Sequence, residues 1–401
     1  MKIRKVKANN LEQVRELHVY CTGRQWTDNT PSKDELSFYT PDEILGMFEG
    51  EKLVSMIRNY TFNQSVRGTI KKMGGVSHVA TFPEYRLHGY VKDLTKAIFL
   101  DMKEKKQSVS LLHPFKESFY DAFGYVGTND NLLVKISLDG FSHYLGDVSK
   151  IDGTWEEKRV RAIDVQAEFE EFKFELDLLE QHGLVFLNDM SSGYWKEDHD
   201  SVIVVFIKKN NNIMAAAKYI KIGSGENGRI FVAEMYWKDI ESRVILFRYF
   251  AKHKDQFSHI ELRIPYGVNF FSWLSDTARP FEVKINNHPW MVRIIEAIDA
   301  VNDIKVNLEG EIILELHDEY CQWNNGVYKL KVVDNKLKMN KCNNEEPHVK
   351  MDIRGLTSLL YGVYSVEELE FKEWIALSNS EVGIILDEWF PKKFLYNPYY
   401  F

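Results

Sequence analysis

Gly74-Gly75-Val76-Ser77-His78-Val79-Ala80-Thr81-Phe82-Pro83-Glu84-Tyr85-Arg86-Leu87-His88-Gly89-Tyr90-Val91-Lys92 is the stretch on which the reading of the whole chain turns. Val76, Val79 and Phe82 with their short neighbours predict a strand, entered through a flexible Gly74-Gly75 pair. Pro83 ends it, because proline has no N–H to give to a ladder. Leu94, Ile98 and Met102, with Ala97 and Leu100 beside them, then recur at helical spacing. Arg86-Leu87-His88-Gly89 is therefore a strand-to-helix turn with a glycine where the helix begins. Such a turn gathers unpaired N–H groups and the positive end of a helix at one spot, which suits a pyrophosphate.

The turn alone is weak, since an Arg-x-x-Gly corner occurs in many folds. The next two segments of the chain add to it. Ser108-Val109-Ser110-Leu111-Leu112 is a second short strand, and Phe119-Tyr120-Asp121-Ala122-Phe123-Gly124-Tyr125 closes the unit. Val-Ala-Thr-x-Pro-Glu-Tyr-Arg-x-x-Gly with Phe-Tyr-x-x-Phe-Gly-Tyr after it resembles the acetyl-CoA-binding core of the GNAT N-acetyltransferase superfamily. Within it the chain is most similar to the Eis type, the multi-acetylating aminoglycoside N-acetyltransferases. That resemblance runs along the whole chain.

At 401 residues the chain exceeds one ordinary core, and two or three domains are expected. Hydrophobic residues at 44% give ample material for burial. A formal net charge of −8 argues against a nucleic-acid partner and is compatible with cationic substrates. Cys21, Cys321 and Cys342 are far apart and odd in number, so neither a disulfide framework nor a zinc site can be spaced from them. The basic start Met1-Lys2-Ile3-Arg4 lacks an apolar h-region, and no run has the length of a membrane span. A soluble, cytoplasmic protein without a membrane or nucleic-acid partner is the expectation.

Lys2–Ala8 alternates as a strand; Leu11, Val14, Leu17 and Cys21 mark a helix; 47–49 and 52–62 form a hairpin about Gly50-Glu51. Trp26 is a candidate wall of an acceptor pocket. Leu132–Leu138 is expected as the last strand of this first unit, residues 1–150. The order helix, hairpin, strand, helix, strand then recurs in 151–285, with Trp237-Lys238-Asp239-Ile240-Glu241 standing where the Arg-x-x-Gly turn would be. By resemblance this is a second GNAT-like domain without a cofactor site. Residues 286–401 are similar to the sterol-carrier-protein-2-like module that ends Eis proteins. The fold class is thus α/β with mixed α+β sheets: tandem GNAT-like domains followed by a sterol-carrier-protein-2-like domain. Three tyrosines and two phenylalanines in the last eight residues predict a docked tail.

The resemblance implies acetyl-CoA as cosubstrate and a small-molecule primary amine, plausibly an aminoglycoside, as acceptor, in a ternary complex. Val79, Ala80 and Thr81 would pair with the pantetheine arm. Arg86, Leu87, His88, Gly89, Tyr90, Val91 and Lys92 would take the pyrophosphate, and Phe115 and Lys116 would border the cofactor. Tyr120 stands at the general-acid position, and the terminal carboxylate, here of Phe401, acts as base in that family. A homo-oligomer, a hexamer by family, is implied as well. The turn departs from the family, with Leu87 and His88 in place of arginines and Val91 in place of a small residue. It leaves room for a second reading, a GNAT-fold binding protein without catalysis. His78 stands beside the cofactor strand as a possible substrate contact or a satisfied core histidine, and Tyr400 stands where some relatives carry an acidic side chain.

Overall fold

The fold comes from a computed structural model, which describes residues 1–22, 36, 39–129, 131–146, 151–176, 182–187, 201–274, 281–285, 289–343 and 345–399. Trp26, Tyr400 and Phe401 lie outside the described residues. Two compact units divide the chain: Met1–Thr128 with His288–Lys393, and Asn129–Asn287 with Phe394–Tyr400.

The first unit opens with strand β1 (Lys2–Lys5) and helix α1 (Leu11–Thr22), whose Val14 and Leu17 are fully buried as their spacing predicts. The hairpin β2 (Ile44–Glu49) and β3 (Lys52–Val66) turns at Gly50, φ +60°. β4 (Thr69–Thr81) is longer than its apolar run suggests. It begins behind a tight Arg67-Gly68 turn and carries Gly74 and Gly75 inside the strand, not ahead of it. Packing explains the first glycine. A Cβ on Gly74 would lie 2.7 Å from Met102 Cε and 2.8 Å from Asn59 Oδ1.

Helix α2 (Tyr90–Glu104) carries Leu94, Ile98, Phe99 and Met102 to full burial, each worth roughly 1.5–3 kcal/mol. Leu100, counted at helical spacing, faces outward instead. β5 (Val109–Leu112) lies parallel to β4, as a strand reached through a crossover helix must. Helix α3 (Glu117–Asp121) and β6 (Val126–Gly127) come next.

One expectation is corrected here. β7 (Leu132–Ser137) does not finish the first sheet; it pairs with strands of the second unit. Alternating hydrophobicity identifies a strand but not its sheet.

The second unit contains, in order, β8 (Trp155–Arg161), α4 (Gln166–Phe174), β9 (Val185–Leu187), β10 (Ile203–Lys209), β11 (Asn212–Ile222), β12 (Gly225–Trp237), α5 (Ile240–Ala251), β13 (Phe257–Ile264) and β14 (Phe281–Ile285). Its sheet runs β14-β7-β13-β12-β11-β10-β8. β12 and β13 are parallel across α5, and the other neighbours are antiparallel.

The remainder of the first unit begins with β15 (Met291–Ile294), which pairs with both β5 and β6. The first sheet thus reads β1-β2-β3-β4-β5-β15-β6. Each of these two sheets holds a five-strand core, β1-β2-β3-β4-β5 and β8-β10-β11-β12-β13, with one parallel pair at the end. The two cores therefore share one strand order.

Helix α6 (Ala297–Val301) leads to a five-stranded sheet of β16 (Glu311–His317), β17 (Gly326–Val333), β18 (Lys336–Lys341), β19 (Val349–Asp352) and β20 (Ile375–Leu377). α7 (Ile353–Tyr361) starts at Asp352, whose carboxylate accepts from Arg354 and Gly355 N–H, and stops at Gly362, φ +67°. Helices α8 (Val366–Phe371) and α9 (Ser380–Trp389) complete it. The described tail is buried within the second unit. Leu395, Tyr396, Asn397 and Tyr399 are each 5% exposed or less.

Candidate active site

The site grows from a defect in β4. Arg58 pairs with Ser77 and Met56 with Ala80, so two residues of β4, His78 and Val79, face one residue of β3, Ile57. This β-bulge bends the strand. His78 sits at φ +51°, a left-handed conformation uncommon for a residue with a side chain. The parallel pairing of β4 with β5 ends just before, at Val76 with Leu112. Beyond it, Ser77–Thr81 has β3 on one side and, among the described residues, no strand on the other. Val79, Ala80 and Thr81, predicted to line the cofactor, thus lie on the stretch of β4 past the point where two parallel strands part, with β3 alone beside them among the described strands.

Thr81 turns its hydroxyl to Ser55 Oγ at 2.7 Å, while its carbonyl accepts from Arg86 Nε at 3.1 Å. Arg86 therefore braces the turn against the strand. Leu87, at φ +64°, is fully exposed, and Gly89, at φ +80°, is the N-cap of α2. No side chain caps this helix, and its first helical bond runs from Asp93 N–H to Gly89 O. The amides of Tyr90, Val91 and Lys92 therefore precede the ladder and can bind an anion. A Cβ at Gly89 would meet nothing within 4 Å, so the space ahead of the helix is open. His88 stacks on Tyr90 with ring centroids 5.5 Å apart.

The corresponding corner of the second unit is closed. Asp239 caps α5 with its own carboxylate, accepting from Ser242 N–H at 2.8 Å. A carboxylate already occupies the anion position there. A pyrophosphate suits the first corner and would be repelled from the second.

Tyr120, on α3, is 7% exposed, and its ring meets Phe115, Phe119 and Tyr125 at centroid distances of 5.6, 5.1 and 6.1 Å. It belongs to the same apolar cluster as Val76 and Leu112, the last β4–β5 pair, with Val79 packed alongside. Burial pushes its phenol well above the ordinary tyrosine range, so it stays protonated at any physiological pH. Among the described residues its hydroxyl has no hydrogen-bond partner. Phe115 is exposed and Lys116 is the N-cap of α3, so both stand at the start of the helix that carries Tyr120.

Several residues of the site escape a reading of the sequence. Arg293 of β15 donates to Phe123 O at 2.7 Å just past α3, and its guanidinium is paired with Asp318 at 2.7 Å, both side chains fully buried. Nothing in the local pattern links residue 293 to residue 123. His18 and Tyr39 also gather against His78, a grouping that depends on the bulge.

Residues 2–127 match the acetyltransferase (GNAT) domain family, and residues 292–393 match the sterol carrier protein domain family. No curated protein matches the chain. Among solved structures, a GCN5-related N-acetyltransferase from Anabaena variabilis is similar over 100% of both chains, with TM-score 0.85 and 16% identity. A probable N-acyltransferase from Enterococcus faecalis gives TM-score 0.83 and 19% identity over 100% of this chain and 99% of that one. Eis1 from Mycobacterium abscessus gives 0.79 and 14% over 100% of both. The chain carries a GNAT acetyltransferase domain, whose cosubstrate is acetyl-CoA, and a sterol carrier protein domain, in the fold that Eis1 also adopts.

Proposed function

We propose that the protein transfers the acetyl group of acetyl-CoA to a primary amine of a small cationic acceptor of the aminoglycoside kind, in a ternary complex. The observation that carries the reading is the parted β4–β5 edge lying between an uncapped α2 N-terminus and the buried Tyr120. Val79, Ala80 and Thr81 hold the pantetheine arm by backbone pairing. Arg86, Leu87, His88 and Gly89 shape the turn, and the amides of Tyr90, Val91 and Lys92 take the pyrophosphate. Phe115 and Lys116 border the cofactor.

Tyr120 acts as the acid. A buried phenol is a weak acid, but the thiolate that leaves beside it shares the same dry surroundings, and both pKa values rise together. The hydrogen bond from Tyr120 stabilises charge only as the C–S bond breaks, where it accelerates the reaction most. The terminal carboxylate of Phe401 draws the ammonium in and receives its proton directly or through water. The docking of the tail supports this role. Asn131 donates to Asn397 O at 2.7 Å, Arg263 to Pro398 O at 2.7 Å, and Asn129 exchanges hydrogen bonds with Leu395.

A hexameric assembly accompanies this reading by family resemblance, and a cytoplasmic location accompanies it as the sequence reading expects. Among the described residues no helix is long and apolar enough to cross a membrane. Thiol release from acetyl-CoA over a panel of primary amines tests the activity. Release that rises with an added amine supports it, and release that no amine changes refutes it.

A further inference from the structure

The outer strands of the sheets differ in how they are guarded. An outer strand shows a row of backbone groups that a second chain can pair with, and charged side chains along it discourage such pairing. β1 is Lys-Ile-Arg-Lys, β8 is Trp-Glu-Glu-Lys-Arg-Val-Arg and β18 is Lys-Leu-Lys-Met-Asn-Lys. β6 and β20 are only two and three residues long. β14, Phe281-Glu282-Val283-Lys284-Ile285, is different. Among the described strands β7 is its one neighbour, and its Val283 and Ile285 are 43% and 62% exposed. Phe281 lies against Phe271, ring centroids 5.2 Å apart, and Phe271 is exposed as well.

The five residues of β14 run apolar, acid, apolar, base, apolar about Val283. We infer that β14 is the surface through which two copies of this chain join, strand to strand and antiparallel about a two-fold axis at Val283. The inference is independent of the acetyl-transfer reading. In that register Val283 meets Val283 of the second copy, and Phe281 meets its Ile285. Glu282 meets Lys284 of the second copy, once on each side of the axis. Side chains alternate between the two faces of a strand, so the charged pairs lie on one face of the joined sheet and the apolar contacts on the other.

The sheet's own charges favour this register. On the polar face Glu261 of β13 is paired in register with Lys135 of β7, and Lys135 with Glu282, whose carboxylate lies 3.5 Å from its ammonium. Acid, base and acid thus follow one another across three strands, and Lys284 of a second copy continues the alternation. Glu282 and Lys284 also lie 3.5 Å apart within the strand, and both side chains are more than half exposed. On the apolar face Ile136, Val134 and Leu132 of β7 stand beside Phe281, Val283 and Ile285. The second copy extends that row and covers the two exposed residues. Other registers fail. Sliding by one residue sets apolar side chains opposite charged ones, and sliding by two sets Glu282 against Glu282 or Lys284 against Lys284.

The test is a charge exchange on the full chain, read as mass by light scattering and as a dissociation constant by analytical ultracentrifugation. The wild-type protein should hold an even number of copies at micromolar concentration. Glu282→Lys and Lys284→Glu each turn both pairs across the axis into like charges, and each should weaken association about tenfold or more. Lys284→Glu leaves the Lys135–Glu282 pair in place, so its melting temperature should stay near that of the wild type. Mixed together, the two variants again present opposite charges at both pairs and should associate as tightly as the wild type. That rescue is one that misfolding or a general loss of solubility cannot produce. A monomeric wild-type protein, a Lys284→Glu variant that associates as tightly as the wild type, or two variants that stay apart on mixing would each overturn the inference. None of these outcomes bears on amine acetylation, which thiol release decides separately.

Discussion

Tyr120 and Gly89 are the two residues on which the chemistry is most exposed to test. Tyr120→Phe keeps every ring contact of the buried aromatic group and removes one proton donor. Turnover should fall by about 10²-fold with the dissociation constant for coenzyme A unchanged, in steady-state kinetics and calorimetry. Because burial holds the phenol protonated, the wild-type rate should not decline between pH 8 and 10 through ionisation of this tyrosine. Gly89→Asp would install at the first corner the carboxylate cap that Asp239 supplies at the second. It should weaken coenzyme A binding at least tenfold by calorimetry, part of it from strain at φ +80°. Both residues are legible in the sequence, because the phosphate turn and the Phe-Tyr pair are short local patterns. His78 is legible there as a possible substrate contact or a satisfied core histidine, but its backbone conformation is not. Its positive φ comes from one unmatched residue in a ladder, which no side-chain pattern announces.

The elements divide by how local their causes are. α1 and α2 are readable because their buried residues repeat every three or four positions, and β2–β3 and β10–β11 because glycine or asparagine marks the turn. Asn210 and Asn211 take φ of 52° and 68°, as such a turn requires. The sheet positions of β7 and β15 are not readable, because each finds its partner far along the chain, β7 beside β13 and β15 between β5 and β6. β15 also carries Arg293, which ties α3 to the loop of Asp318. Tyr320 and Cys321 N–H and Asn324 Nδ2 complete the hydrogen bonding of that carboxylate. Asp318→Asn leaves a fully buried guanidinium without its counter-charge and should destabilise the first unit by about 3–5 kcal/mol, read from denaturation midpoints. In the tail, Arg263→Ala and Asn131→Ala remove hydrogen bonds to the backbone of Pro398 and Asn397. Turnover should drop while the melting temperature of the protein changes by only a few degrees.

At the scale of the molecule, the N-terminal GNAT segment is not a free-standing domain. Its sheet takes β15 from residue 291 onward, and Arg67 from the β3–β4 turn donates to the carbonyls of Leu359, Leu360 and Pro391. A fragment ending at residue 150 would expose the edge of β5 and should aggregate or fail to fold, as light scattering and circular dichroism would report. The second unit has its own interior charges. Burial alone would raise the Glu234 carboxyl, but Lys218 and Lys173 beside it more than reverse this and hold it below the ordinary range. A depressed folded value stabilises above the unfolded value of about 4.3 and loses that contribution as pH falls below it. Acid unfolding of this unit should therefore begin below about pH 4 and be less steep in Glu234→Gln. Acetyl transfer itself is tested most directly by following free thiol with acetyl-CoA in the presence and absence of a polyamine-type acceptor. Amine-dependent release that Tyr120→Phe suppresses is the expected result. Equal release with and without every amine tried, from a protein that still binds coenzyme A, would contradict it.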